Sequence, residues 1–162
     1  MISFETRDES SQVTLGARLS AAVGSKALIF LQGDLGAGKT TLVRGFMRER
    51  GHEGNVKSPT YTLIEPYDLP SGPCYHLDLY RLGDGEELEF LGLREMLDEQ
   101  AVLLIEWPER GSGWLPQADL SLHLEYHGEG RIVRMQAYTR IGEKILSTLR
   151  LQDSAEEVPS NT

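Results

Sequence analysis

Short, continuously apolar runs alternate along the chain with segments whose apolar positions recur every three or four residues, and this alternation predicts an α/β fold. Ala27-Leu28-Ile29-Phe30-Leu31 and Ala101-Val102-Leu103-Leu104-Ile105 are apolar at every position, as expected of strands covered on both faces of a parallel sheet. Residues 9–23 place Leu15, Leu19, Ala22 and Val23 on one helical stripe, with Ser10 or Ser11 as the candidate cap. A second helix follows from Leu42, Val43, Phe46 and Met47, and Gly51 supplies its stop. Residues 75–80 read as a further strand running into Asp78-Leu79-Tyr80-Arg81. Asp84 and Glu87 have the spacing of a capping box, which opens a helix through Leu88, Leu91, Met96 and Leu97.

The rhythm changes after residue 118. Leu120, Leu122, Leu124 and Tyr126 alternate with polar residues, residues 127–130 are turn-like, and Ile132, Val133, Met135 and Ala137 return, which is the pattern of an antiparallel hairpin. A last helix is expected over 142–151, followed by an acidic, polar and disordered tail over 152–162. Residues 51–74 are a connection broken by Gly and Pro. At 162 residues the chain suits one domain, here residues 1–151.

The first apolar run ends in Gly33-Asp34-Leu35-Gly36-Ala37-Gly38-Lys39-Thr40, which has the Gly-x4-Gly-Lys-Ser/Thr spacing of a phosphate-binding loop. A phosphate tail needs donors that approach without side chains in the way. Glycines allow backbone N–H groups and the next helix's N-terminus to do so. Lys39 then serves the β- and γ-phosphates, and the Thr40 hydroxyl serves a Mg²⁺ ion. Strand, loop and helix in this order give the expected fold its class: a P-loop NTPase-like, mainly parallel sheet with helices on both faces and a C-terminal antiparallel hairpin.

Nucleotide hydrolysis also needs a carboxylate for the metal and a group that orients the nucleophile. Glu106 ends the apolar run 101–105, at the strand edge where open α/β sheets bind ligands, and is the candidate metal ligand. Asp78, near the end of the other central strand, is the second acid; buried among apolar neighbours it requires a partner such as Arg81, water or the metal shell. Ser58, Thr60 and Thr62 lie where P-loop proteins carry a segment that senses the γ-phosphate.

Composition narrows the setting. With 16 Lys plus Arg against 25 Asp plus Glu, the formal net charge of −9 argues against a broad grip on nucleic acid. A single cysteine, Cys74, suits a reducing cytosol and reads as a small hydrophobe. No apolar stretch approaches a membrane span, so a cytoplasmic location without membrane association is expected. His52, His76, His123 and His127 have no metal-site spacing and read as surface or half-buried residues.

Four ordered segments, Gly33 through Thr41, Ser58-Pro59-Thr60-Tyr61-Thr62, Asp78-Leu79-Tyr80-Arg81 and Glu106-Trp107-Pro108-Glu109, together resemble the TsaE (YjeE) family. The resemblance covers residues 9–150. It implies a Mg²⁺-dependent ATPase, weak alone and stimulated by partners, that works with the TsaD–TsaB complex. That complex makes threonylcarbamoyladenosine at adenosine 37 of tRNAs reading ANN codons, so tRNA is met only indirectly. The resemblance further implies ATP binding by Gly33, Leu35, Gly36, Ala37, Gly38, Lys39, Thr40 and Thr41, with Glu9 near the adenine. Thr40 and Glu106 are implied as metal ligands, and Asp78, Lys39 and Thr60 as the catalytic set.

Other classes remain open at this level. A small-molecule kinase uses the same loop, but no compact arginine-bearing lid is evident. A GTPase would be expected to carry Asn-Lys-x-Asp, which is absent. A binding module without hydrolysis has little use for two carboxylates at strand ends.

Overall fold

The computed structural model describes residues 1–156. Seven strands form one sheet in the order β1-β7-β6-β2-β5-β4-β3: β1 (Ile2–Thr6), β2 (Ala27–Gly33), β3 (Ile64–Leu69), β4 (Gly72–Asp78), β5 (Val102–Glu106), β6 (Leu120–His127) and β7 (Gly130–Ala137). The central strands β6, β2, β5 and β4 are parallel, and β7, β1 and β3 extend the sheet antiparallel at its two sides.

Strand alternation divides the apolar runs between two cores. Ala27, Ile29 and Leu31 of β2 and Val102 and Leu104 of β5 face one side, under α1 (Glu9–Ala22), α2 (Lys39–Glu49) and α5 (Arg140–Glu156). Leu28 of β2 and Leu103 and Ile105 of β5 face the other, under the short helices α3 (Glu87–Phe90) and α4 (Leu93–Asp98). Both faces are therefore covered, as the uninterrupted apolar runs require.

Several boundaries differ from expectation for identifiable reasons. The cap of α1 is Asp8, whose carboxylate accepts from Ser11 N at 2.8 Å, while the Ser11 hydroxyl accepts from Asp8 N; Ser11 closes a capping box from the N3 position. The helix expected from Asp84 through Leu97 is two helices, split at Gly92, which adopts φ 86°. β6 does form a hairpin with β7, yet it also lies parallel to β2, so the path from β5 to β6 is a crossover.

β1 and β3 were not anticipated. Ile2, Phe4 and Thr6 alternate inward on β1, a signal too short to stand out. Pro66 reads as a strand breaker, but β3 is an edge strand, where a missing N–H does no harm. α5 continues to Glu156, into the segment expected to be a disordered tail, because Arg18 of α1 engages both Gln152 and Asp153. The rest of that expected tail, 157–162, lies outside the described residues. None of the described helices is long and apolar enough to cross a membrane.

Candidate active site

The parallel register brings the chemistry to one edge. Leu31 of β2 pairs with Glu106 of β5, and Glu106 pairs with Asp78 of β4, so the loop after β2 and both acids emerge together at the C-terminal ends of the strands. An open cleft of about 310 Å³ is lined by Leu35, Gly36, Gly38, Lys39, Thr40, Thr41, Ser58, Thr60, Asp78, Glu106 and Trp107. A second depression of about 280 Å³ adjoins it, sharing Gly36, Gly38 and Thr41 and adding Glu9, Gln12 and Arg131 among others.

Residues 33–38 turn because their glycines take conformations that L side chains resist: Gly33, Gly36 and Gly38 have φ of 145°, 81° and 96°. A Cβ on Gly36 would come within 2.8 Å of the Tyr126 hydroxyl, and one on Gly38 within 2.9 Å of Gln12 Nε2. Gly38 is the N-cap of α2 and offers no side-chain cap, so the first N–H groups of the helix stay available to an anion. The cradle fits a phosphate chain on these grounds.

Lys39 is 5% exposed; its Nζ donates to Gly33 O at 2.5 Å and lies 4.1 Å from the centre of the Trp107 ring. Burial holds its pKa below the ordinary lysine value, and Glu106 followed by Asp78 pulls it partly back. Its charge is thus poorly solvated and poised for anionic oxygens.

Asp78 is held by two donors: the Thr60 hydroxyl reaches Oδ2 at 3.2 Å, and Tyr80 N reaches Oδ1 at 3.0 Å. Arg81, the partner considered from sequence, instead covers the Tyr61 ring, 4.5 Å from its centre. Thr60 is also 2.7 Å from the Ser58 hydroxyl, which joins Ser58, Thr60 and Asp78 in one chain, while Thr62 stays exposed. Backbone bonds reinforce it: Leu63 N donates to Pro59 O, and Asp78 N donates to Leu63 O. Leu63 pays for this path with φ 67°, a left-handed conformation that costs a side-chain-bearing residue about 1–2 kcal/mol.

Glu106 is 3% exposed and is hydrogen-bonded to a residue that the sequence presents as a surface or half-buried histidine. His76 is fully buried, with Nε2 2.6 Å from Glu106 Oε2. Its signal was present in the alternation, since His76 stands two residues before Asp78 on the same face. Also unanticipated are Arg131 and Tyr126 of the hairpin and Gln12 of α1, all bonded to loop carbonyls at Gly36, Ala37, Leu35 and Gly38. Such contacts join segments far apart in sequence and leave no local pattern. Glu9, at the first turn of α1, lines the second depression and pairs with Arg44 of α2.

Among the described residues, no three His, Cys, Asp or Glu side chains form a metal cage. Mg²⁺ does not need one: it is commonly held by one or two protein oxygens together with substrate phosphates, and Thr40 and Glu106 meet that requirement in one cleft.

The family model described as "Threonylcarbamoyl adenosine biosynthesis protein TsaE" matches residues 6–135. The chain belongs to the TsaE family. The protein of Haemophilus influenzae named "tRNA threonylcarbamoyladenosine biosynthesis protein TsaE" is 45% identical over 145 residues, spanning 86% of this chain and 92% of that one. A Bacillus subtilis protein of the same name is 39% identical over 129 residues, 79% of each chain. Among solved structures, that of Bacillus subtilis YdiB matches with a TM-score of 0.76 at 30% identity, covering 94% of this chain and 95% of its own. The TsaE match takes in the loop, residues 58–62, Asp78, Glu106 and Arg131, and so spans the lining of the cleft and of the adjoining depression, and it ends before α5.

Proposed function

We propose that this protein binds ATP with Mg²⁺ in the cleft and hydrolyses it slowly, and that this ATPase serves threonylcarbamoyladenosine formation at adenosine 37 of tRNAs reading ANN codons. The observation that carries the proposal is convergence: a glycine loop, a desolvated lysine and two differently held carboxylates line one cleft. The family's name supports the pathway.

Loop N–H groups and Lys39 bind the phosphates. Thr40 and Glu106 are the groups that would hold Mg²⁺, and the ion when bound supplies charge withdrawal from the phosphate oxygens. Asp78, oriented by Thr60 and Tyr80 N, takes a proton from the attacking water. The segment carrying Ser58 and Thr60 is tied to Asp78 and so is placed to report nucleotide state. The second depression, with Glu9 at its rim, takes the nucleoside end.

Among the described residues, no arginine lines the cleft that holds Asp78 and Glu106. An arginine supplied to such a site contributes about 10³–10⁵ in rate, so stimulation by a TsaD–TsaB complex is part of the proposal. With a net charge of −9 the protein reaches tRNA through that complex, in the cytoplasm. The test is multiple-turnover threonylcarbamoylation of tRNA by the partner complex and an activated donor, with this protein present or omitted. Omission should reduce product yield and ATP consumption; if it changes neither, and no nucleotide-dependent complex forms, the proposal is wrong.

A further inference from the structure

Strand alternation sets His76 and Asp78 of β4 on the face that carries Leu104 and Glu106 of β5, and the register pairs His76 with Leu104 and Asp78 with Glu106. The imidazole therefore lies one step deeper in the sheet than either acid. Cys74 on the same strand and Val102 and Leu104 on β5 show what this face of the core otherwise uses. A leucine would pack without polar cost. The histidine instead buries two nitrogens and satisfies one of them: Nε2 meets Glu106, while Nδ1 has no partner among the described residues. Burying an unpaired polar atom is unfavourable, so what this residue contributes is the direction of its single bond.

As a metal ligand, Glu106 offers only lone pairs, so Nε2–H is the donor and Oε2 is the oxygen it holds. We propose that His76 is a positioning residue for the cation: its Nε2–H locks the Glu106 carboxylate and leaves Oε1 as the oxygen that binds Mg²⁺. This rests on the assignment of Glu106 to the metal, made above. Losing a partner of this kind weakens metal affinity by about 10- to 100-fold.

The experiment titrates MgCl₂ into protein and the fluorescent nucleotide mant-ATP, with a parallel titration in EDTA and a melting curve for each variant. His76→Leu should raise the half-effective Mg²⁺ concentration about 10- to 100-fold and leave the affinity in EDTA unchanged. His76→Gln, whose amide nitrogen extends to the position of Nε2, should restore most of the loss. His76→Asn, which stops at the position of Nδ1, should not. Wild-type Mg²⁺ dependence in folded His76→Leu overturns the proposal, and so does His76→Gln no better than His76→Asn, a comparison that stands even if the leucine variant does not fold. Glu106→Gln separates the two readings. If it loses Mg²⁺ dependence while the histidine variants keep it, only the positioning role fails; if it keeps Mg²⁺ dependence, the metal assignment fails and the role of His76 with it.

Discussion

Replacing Arg131 by alanine should weaken nucleotide binding from outside the phosphate loop. The guanidinium donates to Ala37 O and Gly36 O, each at 3.2 Å, and to Gly130 O at 2.8 Å, and it lies 4.2 Å from the centre of the Tyr126 ring. Tyr126 donates to Leu35 O at 3.1 Å. Three successive loop carbonyls are therefore turned toward the hairpin. Because a peptide unit is planar and trans, its N–H points the opposite way, so Gly36 and Gly38 N–H are turned from the hairpin, while Ala37 N closes a turn on Asp34 O. Each charge-assisted bond is worth about 1.5–3 kcal/mol when fully desolvated, and about 1 kcal/mol is reasonable for a half-buried guanidinium. The ring contact adds about 0.5–1 kcal/mol. If half of the roughly 3 kcal/mol total is coupled to loop shape, Kd for mant-ATP rises about 5- to 30-fold at 1.4 kcal/mol per decade. Arg131→Lys, able to reach one carbonyl, should fall between. Tyr126→Phe, which touches the loop away from the cleft, should raise Kd about two- to fivefold. Fluorescence titration decides. A Kd within twofold of wild type in folded Arg131→Ala would refute this account of the loop.

Lys39→Met should abolish nucleotide turnover without lowering the melting temperature at neutral pH. The lysine's folded pKa is depressed, so its charged form costs stability below that pKa, and the cost is relieved only as pH rises through it; calorimetry at neutral and alkaline pH should show the wild type gaining on the variant at high pH. Asp78→Asn should keep mant-ATP affinity and lose about 10²- to 10⁴-fold in phosphate release, since asparagine still accepts from Tyr80 N but takes no proton. Normal hydrolysis would make Asp78 structural. Gly45→Ala should destabilise the fold by about 1–3 kcal/mol, a fall in melting temperature of several degrees, because its Cβ would sit 2.0 Å from Val13 O where α1 crosses α2. An unchanged melt would show that the two helices can separate freely.

Local signals carried much of this protein. Apolar runs at 27–31 and 101–105 specify strands buried on both faces, because a run without polar positions has no side to give to water. The glycine loop announces its own backbone, since Gly36 and Gly38 stand where the chain takes positive φ. Glu106 is legible as a strand-end acid because it follows an apolar run, and Asp78 because it lies near the end of the strand read over 75–80. Tertiary structure alone decided their partners. Register between β4 and β5 set His76 under Glu106, the crossover placed β6 beside β2, and the hairpin could then reach the loop with Arg131 and Tyr126. Thr60, not Arg81, became the partner of Asp78 because Leu63 turns the preceding segment back across the end of β4. Periodicity records which face a residue occupies within its own element; which residue stands opposite depends on how separate elements are registered, and a single chain carries no local trace of that.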